Sequence, residues 1–318
     1  MNNSSALREK IIDCAKRCGA DLVGFGGVAR FQDPAVTAIF PDTRTVIGMA
    51  FRVLRGSYRG VEEGTTYYQY TTTGVETIEE TIMPNALLRV CNVIEDEGFL
   101  AVPQRRLQLL RREEKTPNPE MRITTWYEAG EKEPQINFPQ AAVACGLGEI
   151  GMSGALLTDA FGPFVRYVFI LTDAELTETP IVEAHLCDKC GKCAAACPGK
   201  AIDEHGALDA VQCSVYYRGA NGSTNPYMPP DAYSDLPNRD AIINGTAKPT
   251  YEEALQIMHD TFFYPPVKHG YTTSICGRAC DRACYAHLEE KGVLTKKFEQ
   301  PFRKRPVWVL DDIFHPEK

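Results

Sequence analysis

The spacing of eight cysteines, crowded between residues 187 and 284, constrains this chain more than any other feature. The run from Cys187 to Pro198 is spaced C-x2-C-x2-C-x3-C-P. Three thiolates on one tight loop can reach three corners of a cubane iron-sulfur cluster, whereas the fourth, one helical turn further on, points towards a second cluster. Pro198 then ends the short helix, because a proline cannot continue its hydrogen bonds. The run therefore predicts a ferredoxin-like module with two [4Fe-4S] clusters.

Four more cysteines downstream supply the remaining ligands that two clusters require. They are Cys213, Cys276, Cys280 and Cys284. By the cross-over rule of two-cluster ferredoxins, we expect one cluster on Cys187, Cys190, Cys193 and Cys284 and the other on Cys197, Cys213, Cys276 and Cys280. Clusters of this kind transfer one electron at a time, so the chain is predicted to be a redox protein.

Two other interpretations of these cysteines stay open. A structural zinc ion also takes four thiolates, although it usually draws two C-x2-C pairs from separate knuckles. The downstream run is C-x3-C-x3-C, with Tyr285 where a proline is usual. On an uninterrupted helix, residues 276, 280 and 284 would share one face, so a cysteine-lined packing face is the second alternative.

Composition and charge narrow the class of protein. The chain has 318 residues, 44% of them hydrophobic, which is enough to fill a core and excludes a disordered protein. Its net charge of -8 disfavours a protein that neutralises many phosphates, so we expect no extended nucleic-acid interface. No stretch approaches the roughly 20 apolar residues of a membrane helix, and the first residues lack the basic-then-apolar order of a secretory signal. We therefore expect a cytoplasmic protein with no membrane partner, in which twelve cysteines favour metal ligation over disulfides.

Hydrophobic periodicity divides the chain into an α/β body and a cysteine-rich part, an α+β protein overall. We predict a helix at residues 6–18, strands at 21–29, 45–54 and 164–172, a helical stretch at 77–98 that Pro84 kinks or divides, and a buried helix at 140–147. From Cys187 onward the pattern changes to short pieces and turns. The predicted division is a body of residues 1–180, a two-cluster module of residues 181–292 and a C-terminal tail of residues 293–318.

Two segments of the chain resemble a known superfamily. They are residues 140–176, QAAVACGLGEIGMSGALLTDAFGPFVRYVFILTDAEL, and residues 187–202, CDKCGKCAAACPGKAI. The order GLGEIG, FGP-x-VR, TD-x-x-L and cysteine run closely resembles the core of the cobalamin-dependent reductive dehalogenases and of their relative, epoxyqueuosine reductase. The resemblance implies a nitroreductase-like α/β body that holds a corrinoid with its lower base detached, beside a two-cluster ferredoxin module that reduces the cobalt. No D-x-H-x-x-G run is present, which agrees with a base-off cobalamin without a histidine ligand.

Glycines in and after the GLGEIG segment are candidate cofactor contacts under this resemblance: Gly146, Gly148, Gly151 and Gly154. Residues without a side chain let the backbone approach a large flat macrocycle closely. A tight turn between helix and strand is the alternative explanation for each of them. Residues 132–139, KEPQINFP, stand where epoxyqueuosine reductase carries an acidic catalytic residue, so neither family substrate is carried over to this chain.

Tyrosines are candidate proton donors, because a reductive cleavage ends with protonation and a tyrosine hydroxyl donates once a nearby cation lowers its pKa. The run TTYYQYTTT at residues 65–73 offers Tyr67, Tyr68 and Tyr70, in a region where the family places substrate and cofactor contacts. In a strand, Tyr68 and Tyr70 would share a face, and we predict one of these two as the donor. The alternative is an aromatic side chain that only packs.

Three functions are compatible with these patterns. The first is a corrinoid-dependent reductase, in which the clusters pass electrons from an external low-potential donor, of ferredoxin or flavodoxin type, to cobalt that reduces a small organic substrate. The second is an electron-transfer protein that reactivates a corrinoid on a partner protein. The third is a flavin-dependent reductase, which ranks last because no phosphate-cradling glycine loop opens a helix.

Overall fold

The computed structural model describes residues 3–62, 70–105, 134–217, 231, 233–247, 250, 253 and 276–303. The chain folds into two compact units, each made of segments that are separate in sequence. The first comprises residues 1–51, 82–148 and 166–183, and the second residues 52–81, 149–165 and 184–318. The chain passes from the first unit to the second for the last time between residues 183 and 184. Segments 52–81 and 149–165, however, pack with the cysteine-rich part, which a boundary drawn along the sequence could not include.

Six strands lie in the described residues: β1 Leu22–Gly27, β2 Thr45–Arg52, β3 Ala101–Gln104, β4 Glu149–Ile150, β5 Leu156–Leu157 and β6 Val165–Thr172. The first unit is built on a sheet with the strand order β1-β2-β6-β3, in which β1 is antiparallel to β2 and β3 is antiparallel to β6. The three strands predicted from the sequence are confirmed. β6 is central because it has a neighbour on each side, as its continuous apolar run indicated.

The same residues contain nine α-helices: α1 Asn3–Arg17, α2 Ala35–Ile39, α3 Arg55–Glu62, α4 Met83–Glu95, α5 Phe138–Ala144, α6 Lys192–Ala196, α7 Ala210–Tyr217, α8 Arg239–Ile243 and α9 Ala279–Glu290. A 3-10 turn covers Val28–Arg30, and two π-helical segments cover Tyr70–Glu76 and Ile78–Ile82. The predicted α+β class is confirmed as a mixture of helices and sheet. None of the helices that the structure describes is long and apolar enough to cross a membrane.

Pro84 lies close to the point where the helical stretch predicted for residues 77–98 changes from π-helix to α-helix. It lies in the first turn of α4, where its missing N–H group is not needed by the helix. Residues 78–82 before it are π-helical, and the helical backbone continues from them directly into α4. The apolar face of α4 packs against α1, and both helices bury aliphatic side chains there: Leu7, Ile11 and Ala15 of α1, and Ala86, Leu87, Val90 and Ile94 of α4.

Helix α5 begins and ends with specific caps. The side chain of Asn137 accepts a hydrogen bond from the Gln140 N–H at 3.2 Å, which satisfies one free donor of the first turn. At the other end Gly146 has a φ of +72°, and its N–H donates to the Val143 carbonyl at 2.8 Å. The next N–H donates to the Ala142 carbonyl at 3.0 Å, which completes a Schellman motif. The predicted buried helix is therefore confirmed, with its start two residues earlier than expected.

The second unit has an aromatic core around α9. The rings of Phe164 and Tyr285 stack with 4.2 Å between their centroids, and Tyr58 stacks on Phe164 at 4.1 Å. Phe302 meets both Phe164 and Tyr285 with its ring tilted, and all four side chains are buried. Tyr285, which stands where a proline is usual, thus lets α9 continue beyond Cys284 and anchors the helix in this core.

Alanine substitutions at Gly146 and Gly154 test whether glycine is needed only for its backbone conformation or also because a side chain would collide with a neighbour. Gly146 and Gly154 have similar left-handed φ angles, +72° and +74°, so alanine is strained at either position by about 1–3 kcal/mol. A methyl group at Gly146 would also overlap the Pro180 carbonyl oxygen, whereas at Gly154 it would meet open space. Urea unfolding should therefore show a larger loss of stability for Gly146→Ala than for Gly154→Ala. Equal losses would contradict this account of the α5 cap.

Candidate metal centres

Four cysteines of the second unit line one cavity, which holds about 340 Å³ of atom-free space including its open side. They are Cys187, Cys190, Cys193 and Cys284. The first two lie in the loop before α6, the third is on α6, and the fourth is on α9. These are the residues that the cross-over rule assigned to one cluster, and we call them the first quartet.

The thiols of the first quartet are close enough to repel one another when ionised. Burial raises the pKa of the Cys284 thiol, and repulsion from Asp281, Cys193, Cys187 and Cys190 raises it further. Burial likewise raises the pKa of the Cys193 thiol, with Cys190 and Cys187 adding to the effect. The raised pKa values keep these thiols protonated in the metal-free chain, and a bound cation would favour their thiolate forms.

The other four cysteines form a second quartet: Cys197, Cys213, Cys276 and Cys280. Burial raises the pKa of the Cys213 thiol to about 11, and Cys276 and Cys197 are near enough to add to the shift. Burial also raises the pKa of the Cys280 thiol, with further contributions from Asp281, Cys276 and Cys197. Cys213 and Cys280 therefore each lie near Cys197 and Cys276, the set that the cross-over rule assigns to one cluster. Ligation of a cluster by either quartet stays a prediction.

Helix α9 begins only at Ala279, which bears on the alternative of a cysteine-lined packing face. Gly277 and Arg278 have left-handed φ angles of +58° and +50°, so Cys276 lies in a turn before the helix. The uninterrupted helix that a shared face of all three cysteines requires is not formed. Cys280 and Cys284 are one turn apart on α9, yet they belong to different quartets.

Each quartet offers four thiolates, the ligand set of a [4Fe-4S] cluster and also of a structural zinc ion. None of the twelve cysteines forms a disulfide, and Cys190 is the one exposed member of the two quartets. A backbone N–H group reaches sulfur in each quartet, because Met152 donates to Cys187 Sγ and Ala201 donates to Cys197 Sγ, both at 3.3 Å. Hydrogen bonds to ligand sulfur help to set the reduction potential of an iron-sulfur cluster.

Glu149 is a residue that the sequence motifs did not identify as part of this site. Its buried carboxylate accepts three consecutive backbone hydrogen bonds, from His185 at 2.5 Å, Leu186 at 2.9 Å and Cys187 at 2.8 Å. Burial alone raises the pKa of Glu149, but the three N–H groups outweigh it and the pKa lies below its usual value. The available signal was an acidic residue within the apolar, glycine-rich segment GLGEIG.

A buried ion network holds the turn that carries Cys276. Arg282, 1% exposed, donates to the carbonyl oxygens of Gly277 at 2.8 Å and of Cys276 at 3.3 Å. Its guanidinium also donates to Glu62 at 2.8 Å, and Arg303 donates to both oxygens of the same carboxylate. Glu62 and Arg282 are 220 positions apart in the chain, so no local sequence pattern indicated this pair.

The glycines predicted to contact a corrinoid have other reasons for their positions. Gly146 caps α5, and Gly154 is exposed in the turn between β4 and β5. A Cβ atom at Gly151 would lie 2.9 Å from the Leu157 side chain, so glycine allows the two strands of this hairpin to approach. Gly148 is buried. Contact of these four residues with a corrinoid stays a prediction, and the alternative of tight turns describes Gly146 and Gly154.

The predicted tyrosine donors are described only in part. Tyr67 and Tyr68 lie outside the described residues. Tyr70 is fully buried, and its ring centroid is 5.0 Å from that of Tyr58. A π-helical segment begins at Tyr70. The segment between Tyr68 and Tyr70, on which their predicted shared face depends, lies outside the described residues. A catalytic role for either tyrosine stays a prediction.

Removal of the Glu62 carboxylate tests the buried network. Glu62→Ala should destabilise the metal-free protein by about 3–5 kcal/mol in urea unfolding, because it leaves Arg282 buried without its counterion. Glu175→Ala is the matched control: Glu175 also pairs with an arginine, Arg44, but its side chain is 83% exposed, and such pairs contribute about 0.2–1 kcal/mol. If Glu62→Ala lost no more stability than Glu175→Ala, the network would not be what holds the turn.

Comparisons with known proteins relate part of this chain to two kinds of reductase. A segment of 98 residues, 29% of the chain, is 44% identical to a tetrachloroethene reductive dehalogenase of Desulfitobacterium hafniense and covers 16% of that protein. A segment of 76 residues, 24% of the chain, is 37% identical to an epoxyqueuosine reductase of Gloeobacter violaceus and covers 24% of it. The matched segments thus span about a sixth and a quarter of the length of these relatives. No protein-family model matches the chain.

A solved structure of a catabolic reductive dehalogenase has a similar fold. The TM-score is 0.50 with 15% sequence identity, over 79% of this chain and 35% of that one. At this identity the likeness concerns the fold alone. The sequence matches carry the relationship: the chain is related to proteins named reductive dehalogenase and epoxyqueuosine reductase, both oxidoreductases, as its motifs predicted.

Proposed function

We propose that this chain is an iron-sulfur oxidoreductase, with a nitroreductase-like body and a ferredoxin-like module that holds two [4Fe-4S] clusters. The observation that carries the proposal is the grouping of eight cysteines into two quartets. Cys193 and Cys284 belong to the first quartet, although Cys197 and Cys280, one helical turn away from them in sequence, belong to the second. Residues so far apart in sequence meet in the pattern that two-cluster ferredoxins use. A single structural zinc ion needs only one such group.

The chain's own residues would hold the clusters and shield most of their surface. Bound clusters supply one-electron transfer, and a bound base-off corrinoid supplies a reducing cobalt centre for cleavage of a carbon-heteroatom bond. The quartets provide the thiolates, and the Met152 and Ala201 N–H groups donate to one sulfur in each. Cys190 is exposed, so the first quartet has an edge that an external donor can approach. We propose a low-potential donor of ferredoxin or flavodoxin type.

The corrinoid and the substrate class rest on the relationship to the named reductases and on the motif resemblance. We propose a base-off cobalamin without a histidine ligand and a small organic substrate, with no extended nucleic-acid interface. Tyr68 or Tyr70 would donate the proton that completes the cleavage. Full burial of Tyr70 keeps water from its ring, which suits a hydroxyl that must deliver a proton to one place.

Metal analysis of anaerobically reconstituted protein tests the cluster content. Two [4Fe-4S] clusters require about eight iron atoms and eight sulfides per chain. A content near four iron atoms, or stoichiometric zinc, would contradict the two-cluster proposal. Cys190→Ser and Cys280→Ser should each disturb a different one of two paramagnetic signals in the reduced protein. Cys91→Ser, in the apolar face of α4, is the control and should leave both signals unchanged.

Cobalamin binding tests the second half of the proposal. Cobalamin added under anaerobic conditions to the cluster-loaded protein should change its absorption to that of the base-off form, because no histidine or lower base then ligates the cobalt. Reconstituted protein without cobalamin is the baseline. A base-on spectrum, or no binding, would favour a protein that reactivates a corrinoid held by a partner. Stoichiometric binding of FMN in place of cobalamin would favour a flavin-dependent reductase.

A further inference from the structure

We propose that the β4–β5 hairpin is the element that positions Cys187 and lowers the reduction potential of the first cluster, and that it acts through Glu149. This inference rests on the proposed function in one respect, the presence of a [4Fe-4S] cluster on the first quartet. It assigns a task to the GLGEIG segment different from the corrinoid contact that its glycines suggested. Glu149 is a positioning residue in this account, since its oxygens contact the backbone and not the metal site.

The contacts of Glu149 fix the chain immediately before the first ligand. Oε2 accepts the N–H groups of His185 and Leu186, and Oε1 accepts the N–H group of Cys187 at 2.8 Å. The side chain is 4% exposed, so water competes little for these three hydrogen bonds. An ionised carboxylate only accepts hydrogen bonds, and both of its oxygens are used here. Glu149 therefore holds the backbone of residues 185–187 through three consecutive N–H groups, the last of them that of the ligand Cys187.

The other end of the same hairpin reaches the sulfur of the same cysteine. The N–H group of Met152, in the turn between β4 and β5, donates to Cys187 Sγ at 3.3 Å. The turn is closed by hydrogen bonds from the Gly154 N–H to the Gly151 carbonyl and from the Gly151 N–H to the Ala155 carbonyl, each at 2.9 Å. One short element thus contacts both the backbone and the sulfur of Cys187. Its glycines serve the turn that makes this possible.

The charge of Glu149 gives the hairpin an electrostatic effect as well as a positional one. Reduction adds a negative charge to a cluster, and a buried carboxylate close to its ligand disfavours that addition. Glu149 also occupies the N–H group of Cys187, which otherwise could donate to sulfur and favour the reduced state. Both effects lower the potential of the first cluster. Glu149 bonds the backbone of a first-quartet residue, whereas the charged pairs near the second quartet are Arg282 with Glu62 and Arg278 with Asp281. We therefore expect the effect of Glu149 at the first cluster.

Potentiometric titration of the cluster-loaded protein, followed by electron paramagnetic resonance, tests the inference. Cys190→Ser identifies the signal of the first cluster. In Glu149→Gln, which keeps the shape of the side chain and removes its charge, the reduction equilibrium of that signal should shift by about tenfold towards the reduced state, or about 59 mV for one electron. The second signal should not move. Glu149→Asp keeps the charge, so the potential of the first cluster should shift less in this variant than in Glu149→Gln.

A matched control removes a carboxylate that has the same kind of contact elsewhere. Glu178 Oε1 accepts the backbone N–H of Gly27 at 3.0 Å in the first unit, so Glu178→Gln should leave both potentials unchanged. No shift of the first signal in Glu149→Gln, or equal shifts of both signals, would overturn the electrostatic part of the inference. A residue that only stabilises the fold would lower cluster content in both Glu149 variants without this selective shift.

Hydrogen exchange in the metal-free protein tests the positional part without any cluster. Exchange at the amides of residues 185–187 should be at least tenfold faster in Glu149→Gln than in the parent, while Glu178→Gln leaves these amides unchanged. Unchanged exchange at 185–187 would overturn the positioning role. If Glu149→Gln does not fold, Glu149→Asp carries the exchange test, and the difference in potential between Glu149→Asn and Glu149→Asp gives the effect of the charge. Absence of two cluster signals in the parent would instead overturn the proposed function, and the exchange result would still decide the role of Glu149.

Discussion

The packing of α6 against α9 is the constraint on which the candidate site depends. Each helix carries one cysteine of each quartet within about one turn: Cys193 followed by Cys197 at the end of α6, and Cys280 followed by Cys284 on α9. Along α6 the cysteine of the first quartet comes before that of the second. Along α9 the cysteine of the second quartet comes first, so the two helices run in opposite directions past the two quartets. A shift of either helix by one turn would disrupt both quartets. The register of the two helices therefore determines whether either quartet forms.

Buried charges maintain this register at the second quartet. Arg278 contacts Asp281 at 2.8 Å, and this carboxylate holds the pKa of Arg278 well above its usual value. Arg282 binds the turn at Cys276 and is itself neutralised by Glu62. Arg282 therefore fixes the backbone near Cys276, and Glu62 offsets the electrostatic penalty of its burial. The pair of Arg278 and Asp281 links the residue before α9 to the first turn of that helix. The first quartet is fixed differently, by a carboxylate on backbone N–H groups.

Sequence reasoning identified the elements whose signals are local. The spacing from Cys187 to Cys197 indicated a short helix with a ligand at each end, and the apolar runs indicated the strands of the first sheet. A local signal, Pro84, also marked an irregular point in a long helical stretch. The roles of Glu62 and Glu149 could not be read in this way, because their partners lie far away in sequence and a single acidic residue in an apolar segment has several explanations.

Two expectations meet a specific backbone conformation in the structure. A strand would place Tyr68 and Tyr70 on one face, but from Tyr70 onward the backbone is π-helical. Gly146 and Gly154 looked like approach points for a macrocycle, whereas their left-handed φ angles already require glycine in the turns of the chain. Glycine in a motif indicates a backbone constraint and does not say whether a ligand or the chain imposes it.

The central claim is that two separate clusters are held by crossed cysteine pairs on α6 and α9. Anomalous diffraction at the iron absorption edge, from crystals of anaerobically reconstituted protein, tests it most directly. The account predicts two iron-containing positions per chain, one bound by Cys187, Cys190, Cys193 and Cys284 and the other by Cys197, Cys213, Cys276 and Cys280. A single iron position, a signal at the zinc edge, or Cys280 and Cys284 bound to one position would contradict it.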